Sequence, residues 1–198
     1  MTTGKRTYTV PVLLILMTLM AILIVVLFSR VLLDSQSLKT ERGHRLAERY
    51  TYCQAYASAL EEYSAGMLSA KDEGGRLAAQ TLQGRLAPTG GECLGLLYES
   101  GIRAGEAKDQ ATSAVTLPLN AIQDKLEPIG LKGGELSADE RKTLETVHAG
   151  AVELEQTLQA YSVPTGDQRY RQMQAGVEWL PVARQARDQL QQLAKGLE

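Results

Sequence analysis

The chain has 198 residues, enough for one membrane segment and one domain of ordinary size. All 23 acidic residues lie at or after Asp34, while three of the 21 basic ones (Lys5, Arg6 and Arg30) precede it. Residues 34–198 therefore carry 18 basic against 23 acidic groups, a formal charge of −5 that argues against general binding to phosphate backbones.

The only phenylalanine, Phe28, lies in an N-terminal apolar run, so the remainder builds its core from Leu, Ala, Val and Tyr with a single Trp. Plentiful Ala and Leu with few β-branched residues favour helix over strand. The fold class expected is all-α: a single N-terminal transmembrane helix continuing into a stalk and an antiparallel bundle of about four or five helices.

Residues 1–6 form a short basic tail, and residues 7–33 read as a transmembrane signal anchor. Thr7 to Ser29 contains no charge over 23 residues. As a helix it spans about 35 Å, against roughly 30 Å for a bilayer hydrocarbon core. Pro11 falls in the first turn, Tyr8 at interface depth, and Arg30 reaches the opposite headgroups. A cleavable signal peptide is the rival, but its apolar region is shorter, and Ser35 and Ser37 make a poor cleavage site. The short basic tail before a long domain favours export of residues 34–198. The nearby Arg30, Lys39 and Arg42 keep a cytoplasm-facing domain as the alternative.

Beyond the membrane the first helix is expected to continue to about Ala70. Leu46, Cys53, Leu60 and Met67 recur every seven residues, with Tyr56 and Tyr63 on the same seam, a pattern of coiled-coil type. The run KDEGG at 71–75 predicts a turn. Residues 76–86 and 92–101 read as two short helices separated by the breakers APTGG at 87–91. A helix from Glu106 to Leu126 places Ala111, Val115, Leu119, Ile122 and Leu126 inward, with a kink at Pro118.

Residues 127–137 are a breaker-rich linker. Ser137 and Glu140 then match a capping box, and Leu144, Val147, Ala151, Leu154, Leu158 and Tyr161 follow at alternating steps of three and four. Val163 to Gly166 end that helix. Tyr170, Met173, Val177 and Leu180 start a last seam, and after a register shift at Pro181, Ala186, Leu190, Leu193 and Leu197 complete it.

Chemistry-bearing residues are few. Cys53 and Cys93 both fall on apolar faces, so one disulfide or two buried thiols are the alternatives. His44 and His148 lack metal-ligand partners at helical spacing, and no metal or cofactor is expected. The acidic pairs Glu61–Glu62, Asp139–Glu140 and Glu153/Glu155 point away from one another along a helix and read as solvated faces. The glycine pairs at 74–75, 90–91 and 133–134 follow turn logic. No nucleophile elbow, phosphate loop or dinucleotide fingerprint occurs, so no catalytic residue is assigned. Tyr56 and Tyr63 read as core residues, whereas Tyr50 and Tyr52 point elsewhere and are the candidate partner surface.

These features suggest a non-enzymatic, membrane-anchored interaction or scaffold module at a bacterial cell envelope. It would touch lipid through residues 7–33 and either a protein partner or a second copy of itself through the bundle. In outline it resembles the helical ectodomains of bacterial chemoreceptors and of anchored partners of wall hydrolases, although no motif carries the resemblance. A small-ligand sensor is the second reading, with its site between helices near Pro118 or the tyrosines. A sensor calls for a concave pocket lined by polar groups, and an interaction module for an exposed apolar patch.

Overall fold

The computed structural model describes residues 9–129 and 135–198. They form six helices with no strand among them: α1 (Thr9–Ser69), α2 (Glu73–Arg103), α3 (Lys108–Leu126), α4 (Ala138–Gln159), α5 (Asp167–Ala175) and α6 (Trp179–Gly196). Lys5, Arg6, Tyr8 and the glycine pair at 133–134 lie outside the described residues.

Helix α1 is continuous over 61 residues, and its apolar part is long and apolar enough to cross a membrane, with a mean hydropathy of 3.1. Every residue from Pro11 to Asp34 is exposed. Within this run Thr18 donates its hydroxyl proton to the carbonyl of Ile15 at 2.8 Å, so that donor is satisfied inside the helix.

Burial begins at Gly43 and continues through the expected seam: Leu46, Cys53, Tyr56, Leu60, Tyr63 and Met67 are all buried. Asp72 ends the α1–α2 turn and caps α2 by accepting from the backbone N–H of Gly75 at 2.7 Å.

Helix α2 corrects the expected break at 87–91, because it runs unbroken through Pro88. Of the two glycines that read as breakers, Gly91 faces open space and Gly90 lies where α2 touches α1, as Gly95 does farther along. A Cβ at Gly90 would meet the Tyr56 ring at 3.1 Å, and one at Gly95 would meet Arg49 Nε at 2.8 Å. Close approach to α1, rather than a turn, accounts for both.

Pairs across each interface give the helix directions. Gly66 approaches Ala79, Tyr56 approaches Gly90 and Arg49 approaches Gly95, so α2 runs antiparallel to α1. Tyr50 meets Leu158 and Ser64 meets His148, which sets α4 antiparallel to α1. Gly150 faces Leu193 and Gly196 faces Thr146, so α6 is antiparallel to α4. Helices α2 and α4 thus run opposite to α1 and α6, with the core between the buried faces of α1, α2, α3, α4 and α6. Each fully buried leucine there adds about 1.5–3 kcal/mol relative to exposure.

Helix α4 follows the sequence closely. Ser137 Oγ accepts from the Glu140 N–H at 3.2 Å, and Glu140 Oε2 accepts from the Ser137 N–H at 2.8 Å. Leu144, Val147, Ala151, Leu154 and Leu158 are buried, and Tyr161 is half-buried just beyond the helix end.

The last seam is split between two helices. Val177 falls between them and is 66% exposed, whereas Met173, Leu180, Ala186, Leu190 and Leu193 are buried. Gly166 precedes α5 at φ +92°, a backbone conformation that favours glycine. Pro181 sits in the first turn of α6, where a missing N–H disturbs no helical bond. Helix α5 crosses α1 near Gly43, and a Cβ there would overlap the carbonyl of Tyr170. Arg103 ties this end together. It bonds Glu99 at 3.0 Å and Gln174 at 2.9 and 3.1 Å, and lies 5.3 Å from the Trp179 ring centre.

Candidate functional site

The two cysteines are bonded. Cys53 and Cys93 face each other from α1 and α2 with their Cα atoms 4.4 Å apart, and both are buried. The bridge lies in the middle of the longest interface in the bundle, where it fixes the register of the two helices.

The tyrosines separate into distinct roles. Tyr50, expected on a partner surface, is instead fully buried. Its hydroxyl donates to the carbonyl of Leu158 at 2.9 Å, and its ring lies 5.1 Å from that of Tyr161. Burial, with a smaller contribution from Tyr161, pushes its phenol pKa up. The reason for the correction is spacing: Tyr50 stands four residues after Leu46 and three before Cys53, so it shares the buried face. Tyr52 is 44% exposed, as a surface residue should be. Tyr63 is in the core, where burial pushes its phenol up to about 12.

Tyr56 leads to the main concavity. A cavity of about 540 Å³ opens between α1, α2 and α3. Leu60, Leu86, Leu94, Leu119, Ile122 and Leu126 provide its apolar lining. Gln80 and Gln83 from α2, and Asn120 and Gln123 from α3, provide four carboxamides. Gln83 spends one N–H on the carbonyl of Leu126 at 3.3 Å. Among the described residues, no hydrogen bond engages the side chains of Gln80, Asn120 or Gln123, or the Tyr56 hydroxyl. Burial raises the Tyr56 phenol pKa, so the hydroxyl remains protonated at neutral pH.

Pro88 leaves one backbone carbonyl near this cavity without its helical donor. Its ring nitrogen has no hydrogen to give the carbonyl of Gly84, four residues earlier, and Gly84 itself lines the cavity. Among the described residues, Glu127 is the only charged one in the lining. Sequence reading missed the site because its amides come from two helices. The available signal was a pair of amides at i, i+3 on each of them, Gln80 with Gln83 and Asn120 with Gln123.

The remaining candidates stay apart or act structurally. His44 lies 3.6 Å from Glu48 and packs edge-on against Tyr170. Ser64 is buried beside His148 Nδ1 at 3.4 Å, but its hydroxyl already reaches the carbonyls of Leu60 at 2.7 Å and Glu61 at 3.0 Å within α1. Across the α1–α4 interface Glu155 meets Glu61. The hydrogen bond between their carboxyls, then burial and repulsion, hold the Glu155 carboxyl above the usual range. Helix-by-helix reading missed that pair. No cluster suited to a metal ion occurs among the described residues.

No family model, curated protein or solved structure matches this chain. Its function therefore has to be argued from its own geometry.

Proposed function

We propose that this chain is a single-pass membrane protein whose helical domain lies outside the cytoplasm and holds a small, uncharged, hydrogen-bonding molecule between α1, α2 and α3. The cavity beside Tyr56 carries this reading. It joins an apolar lining to three carboxamides and a phenol that have no protein partner among the described residues. Its volume falls in the usual range for small-molecule sites, roughly 300–1,000 Å³. Amides and a neutral phenol both donate and accept, which suits a ligand with several hydroxyl or amide groups. With Glu127 as the sole charge among the described residues of the lining, no cation there balances an anionic ligand.

Anchoring is supported by the exposed apolar run from Pro11 to Leu33, a surface that water does not favour. Export is supported by the Cys53–Cys93 bond, since such bonds persist in oxidising compartments. A scaffold role is favoured by a different observation: Asp34 to Ser69 continue as one helix, so the domain reaches up to about 54 Å past the apolar run. Beyond the apolar run, however, the large exposed apolar residues among those described are Leu38, Tyr52, Leu77, Leu117 and Val177, single positions spread over four parts of the chain. The cavity is therefore the stronger candidate.

The test uses the full chain in nanodiscs, titrated with uncharged monosaccharides and short uncharged peptides while thermal unfolding is followed. A bound ligand raises stability by RT ln(1 + [L]/Kd), about 2.7 kcal/mol at a hundredfold excess over Kd. The rise should be absent in Ala87→Trp, which fills the cavity from an exposed position. No saturable shift with any probe would remove the binding reading. Sidedness is read separately with a membrane-impermeant thiol reagent on intact cells. Labelling after reduction and denaturation places both cysteines outside, and protection until the membrane is permeabilised places them inside.

A further inference from the structure

A second concavity, of different chemistry, lies at the end of the bundle nearest the apolar run. Arg42, Arg45 and Arg49 are spaced at i, i+3 and i+7, so α1 presents them on one face. They line a cavity of about 340 Å³ with Leu46, Glu99 and Gln174. Two of the nearby charges are already neutralised: Arg45 pairs with Glu41, and Glu99 pairs with Arg103 at 3.0 Å. Arg42 and Arg49 have no ion pair and no hydrogen-bond acceptor among the described residues.

Arg49 is the informative member. Its side chain is half-buried and lies flat against α2 at Gly95, where a Cβ would come within 2.8 Å of Nε and 3.0 Å of Cζ. The missing side chain at Gly95 makes room for the guanidinium. A planar group with five donors, partly withdrawn from water and lacking an acceptor, is complemented by an oxyanion that takes two of those donors at once.

We propose that this three-arginine cavity binds a phosphate-type oxyanion, carried by a ligand that arrives from outside the lipid layer. The source of the anion follows from height, a step that rests on the anchoring proposed above. Along α1, Arg42 stands about 14 Å beyond Leu33 and Arg49 about 24 Å beyond it. The headgroup layer is only about 5–8 Å thick on each side. Phosphates of the surrounding lipid therefore fall short of Arg49, and a free phosphate-bearing ligand does not. This site is separate from the amide-lined cavity beside Tyr56, and either can fail without the other.

The experiment is calorimetric titration of inorganic pyrophosphate into the full chain in zwitterionic nanodiscs, repeated with phosphatidylglycerol added. Saturable binding is expected, weakened about tenfold or more in Arg49→Gln, the scale of a lost hydrogen bond to a charged group. Gly95→Ala should weaken it as well, since the new methyl displaces Arg49 while every charge is retained. That substitution exchanges a poor helix residue for the best one, and retained helical circular dichroism verifies the fold. Arg85→Gln, which removes an exposed charge on α2 outside this cavity, should leave binding unchanged. No saturable binding would overturn the proposal. So would equal losses in Arg49→Gln and Arg85→Gln, or full binding in Gly95→Ala, because general charge attraction would then suffice. Displacement of pyrophosphate by phosphatidylglycerol would overturn the free-ligand source and give the site to a headgroup.

Discussion

Gln191 donates from Nε2 to the carbonyl oxygen of Ala114 at 3.0 Å, and Ala114 is the residue whose helical donor Pro118 removes. A side chain from α6 thus replaces the hydrogen bond that α3 lacks, and the proline becomes compatible with a buried helix. Gln191→Ala should destabilise the full chain by about 1 kcal/mol, the typical worth of such a bond. Pro118→Ala restores the backbone donor, so Gln191→Ala should cost less in that background. Chemical denaturation of the four proteins measures the coupling, and strictly additive effects would refute it.

The Cys53–Cys93 bond closes a separation of 40 residues. The chain-entropy relation assigns a loop of that size about 4 kcal/mol of stabilisation, through restriction of the unfolded state. Reduction should therefore lower the denaturation midpoint strongly. Because both residues are buried, Cys53→Ala with Cys93→Ala should match reduction in stability while retaining helical circular dichroism. A midpoint unmoved by reductant would mean that α1 and α2 hold their register without the bond.

How legible each element was depended on what surrounds it. Helix α4 packs one stripe inward and was readable from its three-four spacing and its Ser137–Glu140 cap. Helix α1 is covered from more than one side, by α2, α4 and α5, so its buried face is wider than a seven-residue seam and includes Tyr50. In α2, Pro88, Gly90 and Gly91 resemble a loop in sequence. The helix persists because packing on α1 outweighs local propensity, and because Gly90 is needed against the Tyr56 ring. The cavity amides were invisible for another reason: their convergence is a property of two packed helices and of no single segment.

Gly43 is predicted to be the most sensitive glycine. A side chain there would strike the backbone carbonyl of Tyr170, which cannot swing aside as a side chain can. Gly43→Ala should detach α5 from α1, breaking the Arg171–Thr40 hydrogen bond of 3.0 Å and the His44–Tyr170 edge contact. The expected cost is about 1–3 kcal/mol, the range for overpacking. Limited proteolysis should then cut within residues 160–178 while the Cys53–Cys93 region remains protected. Cleavage spread evenly along the chain would indicate global rather than local loss.

The Glu61–Glu155 contact predicts a pH dependence of unusual sign for a carboxyl. In the folded chain the Glu155 pKa lies above its ordinary value, because a protonated carboxyl shares the hydrogen bond with Glu61 and two charged ones repel. The folded state therefore binds more protons than the unfolded state between the ordinary and the raised pKa. Stability must fall as pH rises through that window. The contribution is fully present below the unfolded value and lost above the folded one, the reverse of a salt-bridged carboxylate. Glu155→Gln keeps a hydrogen-bonding group and removes the repulsion, so it should stabilise the chain at neutral pH and have little effect in acid. Thermal unfolding of both proteins across the acid range tests this. A variant less stable than the parent at neutral pH would show that Glu155 is held by favourable contacts rather than strained against Glu61.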